Sequence, residues 1–326
     1  MKKYIYLDWN VIQHIKHKNK IEKKSIDGER FSILVDKLRK KYVFPFSEAH
    51  LRDLSISKEE YYDEDLKFLS KLSDDYVLGF LSEEKIAYEK YPNIKKFFLE
   101  TIEEQKKEKE EVENMEMEYY MPTSFDIDVD KIPKEYIMKD FLKQNNGVLD
   151  TKVFLSLLNF IKENMNNPKI YKQFRNSVTM MKKMIEENSN TVIDQKSIYF
   201  KKLIPFLEFI SMDNIELIKK NFIDIMKSFL AINNSRVYEN IPTGSKIELA
   251  YSLLDYNSNF RDSIDKKNRP NNVLRDLKHL HFASQAKYYI TEDEMTYKKS
   301  KFVSEVLGLN VKVLSMDELL KKIEVV

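Results

Sequence analysis

The sequence contains no cysteine, which removes disulfides, thiolate metal sites and a cysteine nucleophile from consideration. Only 5 of its 326 residues are glycine. Neither GxGxxG nor GxxxxGK occurs, which weighs against a dinucleotide-binding fold or a P-loop. No stretch reaches the ~18 uncharged apolar residues that a membrane span requires. The opening MKKYIYLDWN starts like a secretory leader, but Asp8 interrupts the apolar run too early for one. A soluble cytoplasmic protein without a membrane partner is the expectation. Neither sign of charge is in large excess, with 55 Lys and Arg against 53 Asp and Glu. A nucleic-acid partner would therefore have to use local basic patches. What the chain does have is 42% hydrophobic residues, 20 of them Phe, enough for a buried core. Its length suits one large domain or two of ordinary size.

The two ends read as α/β and the middle reads as helix. Residues 3–7 are β-prone and lead into Asp8. Helices are expected over about 11–18 and 29–40, followed by a second strand at Tyr42–Phe46. Ser47 is placed to cap a helix through Leu54. Tyr76–Phe80 is a candidate third strand. Residues 97–118 carry the charge density of a long solvated helix, and Met121–Pro133 reads as a loop. Helical periodicity recurs over 134–145, 151–165, 168–187, 196–210 and 213–231. The last sixty or so residues alternate again: a helix over 273–288, a strand at Tyr289–Thr291, a helix over 295–307, a strand at Asn310–Leu314 and a helix over 316–323. Such alternation is the signature of a parallel sheet.

In an open parallel sheet, side chains at the C-terminal strand edge converge on one crevice. Asp8 directly follows the first strand and Asp293 lies just past a later one. Asp53 and Asp276 sit on helices next to strands. Four carboxylates on separate elements suit a hard divalent cation such as Mg²⁺ or Mn²⁺. A pair of such ions can activate water for in-line displacement at phosphorus.

The order of these motifs resembles the PIN-domain family. YLDWNVI is similar to its opening strand and turn. FPFSEAHLRDL resembles its second motif, a Ser followed six residues later by an acid, here Asp53, with Glu48 as an extra carboxylate. The stretch from Asp276 through ASQAKYYITED resembles its third and fourth motifs, ending in Thr291 and Asp293. The resemblance covers about residues 1–80 and 265–326. It implies an α/β fold in which helices flank a central parallel sheet, and a metal-dependent endoribonuclease site of Asp8, Asp53, Asp276 and Asp293. The domain expectation is a PIN-like part at 1–83, a large helical insertion at 84–264 and a second PIN-like part at 265–326. RNA is the implied substrate, with DNA the alternative. A toxin or phage-defence role follows by analogy alone. An inhibitory or regulatory protein partner and a homo-oligomer both stay open. Two departures from the family pattern stand out. Trp9 replaces a small residue, which would narrow the cleft or stack over it, and Asp53 stands where Glu is commoner.

Each residue also has a plainer reading. Asp8 could be a helix N-cap, Asp276 and Asp293 could complement a helix dipole, and Asp53 could be a solvated surface charge. Asn10 is placed to orient the Asp8 carboxylate. Thr291 could hydrogen-bond an acid or a phosphate, or simply be a good strand residue. The five histidines all fall in the PIN-like segments. His50 lies three residues before Asp53 and His279 three after Asp276, each pair on one helical face. Such a His could ligate a softer ion like Mn²⁺, shuttle a proton, or bond a neighbour while half-buried. Three basic clusters could contact phosphates or be ordinary surface. They are Lys16, Lys18, Lys20, Lys23 and Lys24; Lys37, Arg39, Lys40 and Lys41; and Lys266, Lys267, Arg269 and Arg275. A non-catalytic binding scaffold with a degenerate site is the competing reading of the whole.

Overall fold

The structure is a computed structural model that describes residues 2–18, 27–114, 125–126, 128–132, 134, 137–164, 166–187, 198–232, 237–265 and 269–324. Outside these lie residues 115–118 of the charged helix, most of the 121–133 loop, residues 165 and 196–197, and Lys20, Lys23, Lys24, Lys266 and Lys267. The chain begins with strand β1 (Ile5–Leu7), helices α1 (Trp9–His17), α2 (Gly28–Leu38), α3 (Glu48–Leu54) and α4 (Tyr62–Ser73), and strands β2 (Tyr76–Ser82) and β3 (Lys85–Lys90). Next come α5 (Ile94–Asn114), a two-residue β4 (Phe125–Asp126), α6 (Ile137–Gln144), β5 (Val148–Leu149), α7 (Thr151–Asn164), α8 (Pro168–Glu187), α9 (Ile198–Ile210) and α10 (Ile215–Ile232). The remaining elements are α11 (Thr243–Leu254), α12 (Pro270–Ala283), β6 (Tyr288–Ile290), α13 (Glu294–Val306), β7 (Lys312–Leu314) and α14 (Met316–Glu324).

The described residues form two compact units, one of residues 1–108, 241–252 and 274–326, the other of 109–240 and 253–273. In the first, β1, β6 and β7 make a three-stranded parallel sheet in the order β1-β6-β7, flanked by helices. Leu7 pairs with Ile290 and Ile290 with Leu314, so all three strands end on the same edge. Ile5, Leu7, Tyr288 and Ile290 face a core built with Val11, Phe31, Leu34, Leu51, Leu54, Leu69 and Leu319. Burying each such side chain contributes about 1.5–3 kcal/mol. Because side chains alternate along a strand, Tyr6 and Tyr289 point to the opposite face, followed on that face by Asp8 and Thr291. Tyr6 and Tyr289 are register partners and wholly buried.

Two expectations need correction, and the candidate third strand is found with an antiparallel partner. Tyr42–Phe46 is not a strand: it makes only single parallel bridges, Val43 to Tyr4 and Phe46 to Val77. Pro45 lies between the two bridges and has no N–H for a ladder. Tyr76–Phe80 does fall within a strand, but β2 pairs antiparallel with β3 as a hairpin rather than joining the parallel sheet. The helix expected over 273–288 runs instead over 270–283. Pro270 is its first residue, a position where proline's fixed φ is favourable. Tight turns at Ser284 and Ala286 then lead the chain into β6.

The second unit is mostly helical. Its α9 and α10 interlock through edge-on ring pairs, Phe206–Phe229 and Phe209–Phe222, at 5.3 and 5.5 Å. Asp255 is fully buried and accepts from Tyr171 Oη at 2.7 Å and from Arg175 Nη1 at 3.1 Å.

Candidate functional site

The sheet register sets the site. Asp8 N donates to Ile290 O at 2.8 Å, and Thr291 N donates to Leu314 O at 3.2 Å. These bonds bring Asp8 and Thr291 side by side at the C-terminal edge. The Thr291 hydroxyl donates to Asp8 Oδ2 at 2.6 Å, and Asn10 Nδ2 donates to the same oxygen at 3.0 Å. Asp8 Oδ1 accepts from Trp9 N at 2.7 Å, so Asp8 is also the N-cap of α1. Its functional and capping readings therefore coexist. Trp9 itself is half-buried and packs against the core.

Two helices cover this face. On α3, Ser47 is the N-cap, His50 the third helical residue and Asp53 lies one turn further on. On α12, Arg275, Asp276 and His279 follow at helical spacing. His279 Nε2 lies 2.7 Å from Asp53 Oδ2, and Arg275 Nε lies 2.9 Å from Asp53 Oδ1. Residues four apart on α12 thus grip both oxygens of one carboxylate. His279 Nε2 is also 3.9 Å from Asp8 Oδ1. Asp8, Asp53 and His279 each offer one ligand atom, all within 4.8 Å of one another.

Burial and charge pull the ionisable groups in different directions. Burial pushes the Asp8 carboxyl up, and His279 and Thr291 only partly offset it. Asp276, half-buried by exposure, is pushed well above the usual carboxylate range by desolvation and then by repulsion from Asp8, Asp293 and Asp53. For Asp53, burial is the largest influence and acts upward, yet His279 and Arg275 together hold the carboxyl low. His279 shows the converse: burial pulls it down most, but Asp53, Asp8 and Asp276 leave it raised. His50 is lowered to about 3 by burial and by His279.

The structure thus joins Asp8 and Asp53 to His279, with Asp276 within range of their repulsion. Asp293 is exposed and caps α13, accepting from Thr296 N at 2.7 Å. Glu48 is bonded to Arg52, whose guanidinium also holds Glu108 at 2.6 and 2.7 Å. His50 is inaccessible (0% exposed), with Nε2 2.7 Å from Leu7 O and Nδ1 accepting from Ser47 N at 2.9 Å. Several of the basic residues that could have contacted phosphates are engaged elsewhere. Lys16 is buried against Asp65 and Glu64, Lys18 pairs with Glu29, and Arg275 holds Asp53.

Sequence reasoning passed over Tyr6 and Tyr289. The available signal was the strand period, since each lies two residues before a polar strand-end residue, Asp8 or Thr291. Tyr6 Oη lies 2.8 Å from His279 Nδ1 and 2.6 Å from Ser47 Oγ. The buried Tyr289 hydroxyl has no hydrogen-bond partner among the described residues, although Asp8 and Asp276 lie within electrostatic reach.

The donor set is compatible with a divalent cation. Bonds of 2.0–2.2 Å put neighbouring ligand atoms roughly 3 Å apart and opposite ones roughly 4.3 Å apart. His279 Nε2 and Asp8 Oδ1 at 3.9 Å fall in that range, while the 2.7 Å contact of His279 with Asp53 is a hydrogen bond that an ion would have to replace. In comparisons with known proteins, no family model, no curated protein and no solved structure matches this chain.

Proposed function

We propose that the chain is a metal-dependent endonuclease acting on RNA, with a PIN-like domain interrupted by a large helical insertion. The observation that carries this reading is the convergence of Asp8 and Asp53 with His279, beside Asp276, at the C-terminal edge of a parallel sheet. These residues come from chain segments more than two hundred positions apart, in the motif order described above. Asp8, Asp53 and Asp276 would hold Mg²⁺ or Mn²⁺, with Asp293 at the rim. When bound, such a cation supplies a Lewis acid that lowers the pKa of water and offsets charge on phosphate.

The chain's own residues set the stage for that chemistry. Thr291 and Asn10 fix the Asp8 carboxylate in one orientation. Asp276, crowded by the neighbouring acids, would be relieved of their repulsion by a bound cation. RNA cleavage by the purified chain with Mn²⁺ is the test, comparing the wild type with Asp8→Asn. The wild type should cut, and the variant should lose activity by about a hundredfold or more. Equal cleavage by both would end the proposal. Single-stranded DNA and a flapped duplex, run alongside, separate an RNase from a structure-specific DNA nuclease.

One observation favours a second reading, a binding scaffold with a degenerate site: both oxygens of Asp53 are already held by Arg275 and His279. In that case Mn²⁺ neither raises thermal stability nor enables cleavage, and Asp8→Asn is silent.

A further inference from the structure

The covered face of the sheet holds a buried polar chain that an all-carboxylate cation site does not need. It runs from Asp53 through His279, Tyr6 and Ser47 to His50, and ends on the Leu7 carbonyl. Tyr6, Ser47, His50 and His279 are each 0% exposed. Leaving such groups without partners in a core is costly, so the proton positions along the chain are constrained.

The constraint starts at the Leu7 end. A backbone carbonyl can only accept, so the proton of His50 sits on Nε2, and Nδ1 is the acceptor for Ser47 N–H. Ser47 Oγ lies 3.1 Å from that same Nδ1 and 2.6 Å from Tyr6 Oη. Two arrangements of the neutral rings are then open to the chain. In one, Ser47 donates to Tyr6, Tyr6 donates to His279 Nδ1, and Nε2–H donates to Asp53. In the other, His279 Nδ1–H donates to Tyr6, Tyr6 donates to Ser47, and Ser47 shares His50 Nδ1. The second arrangement turns the Nε2 lone pair toward Asp53 Oδ2 at 2.7 Å, with Asp8 Oδ1 at 3.9 Å, a contact between acceptors that is satisfied only with a cation bound.

We propose that His279 is a nitrogen ligand of the cation, that Tyr6 fixes its ligating tautomer, and that the site consequently favours Mn²⁺ over Mg²⁺. The inference rests on the cation-site reading above and refines it. A histidine that ligates through one nitrogen ordinarily donates from the other to a fixed acceptor, which sets its ring orientation. Tyr6 Oη is that acceptor. Imidazole suits borderline transition ions, whereas Mg²⁺ prefers oxygen alone. Arg275, bound to the other oxygen of Asp53, would hold that carboxylate in place when His279 turns its lone pair to the ion.

The experiment uses the full chain with Mn²⁺ and Mg²⁺. Pulsed EPR of bound Mn²⁺ reads ¹⁴N coupling directly, and calorimetry gives the two affinities. The wild type should show a histidine nitrogen on Mn²⁺ and bind it at least about tenfold more tightly than Mg²⁺. His279→Gln should lose the nitrogen signal and much of the discrimination while circular dichroism stays native. Tyr6→Phe removes one hydroxyl with little change of shape. It should keep the signal but weaken Mn²⁺ binding about 10–100-fold. Bound Mn²⁺ without nitrogen coupling overturns the inference, as does equal affinity for the two ions. If RNA is still cut in an Asp8-dependent way under those outcomes, only the ligand assignment falls. If neither ion binds, the nuclease reading falls with it.

Discussion

At the residue scale, the site concentrates more negative charge than an apo protein accommodates comfortably. Asp8 and Asp276 both have raised carboxyls, each for burial first, and Asp276 further for repulsion from its acidic neighbours. A group with a raised folded-state pKa contributes stability fully below its unfolded value and loses it as pH climbs through the folded value. Asp53, held low by His279 and Arg275, has the opposite sign, and its contribution is lost only as pH falls below the ordinary carboxylate range. Asp276→Asn should therefore stabilise the cation-free protein at neutral pH and have little effect near pH 4 or below. A gain of about 1 kcal/mol would raise Tm by about 2–4 °C in a domain of this size. Thermal melts in EDTA across pH 4–8 check it, and a variant that melts lower at every pH would show that Asp276 is not a strained charge. Sites that sacrifice stability for function behave in this way.

At the scale of elements, α1 and α2 meet where Gly28 lies against the backbone of α1. A Cβ on Gly28 would come within 1.8 Å of the His14 carbonyl oxygen, which cannot be cleared by turning a side chain. Gly28→Ala should cost about 1–3 kcal/mol or more, measured by urea unfolding, and a neutral result would mean the two helices part without penalty. Elements with strong periodicity were legible in the sequence: β1, β6, β7 and helices α6 to α10 all lie close to where the pattern puts them. What was not legible depended on partners. Nothing in the local pattern marked Lys85–Lys90, because β3 is a strand only through its pairing with β2. Tyr42–Phe46 has strand composition but sits at an edge where Pro45 breaks the ladder. Arg275 read as a phosphate contact or ordinary surface because its counter-charge, Asp53, is 222 positions away, and no local pattern carries that distance. Asp8 and Asp53, the two acids that meet His279, were both legible as candidates, whereas the Tyr6 chain was not, since a tyrosine inside a strand looks like core until the covering helices are known.

At the scale of the whole molecule, the second unit has its own buried ionic knot. Arg175 and Asp255 are 5% and 0% exposed, and Tyr171 bonds the same carboxylate. Asp255→Ala would take a carboxylate from a buried guanidinium and from the Tyr171 hydroxyl, and loss of one partner of such a pair costs about 3–5 kcal/mol. Equilibrium denaturation should show that loss, and a change under about 1 kcal/mol would mean that Arg175 readily finds another partner. In the first unit, the donors come from both ends of the chain. Asp8 and Asp53 leave the ribosome before Asp276 and His279, which follow more than two hundred residues later. A partly synthesised chain, or one truncated anywhere before α12, carries half a pocket and no means of completing it. Any chemistry this pocket performs is thereby withheld from unfinished copies, and mixing separately made halves is the only way such fragments could acquire it.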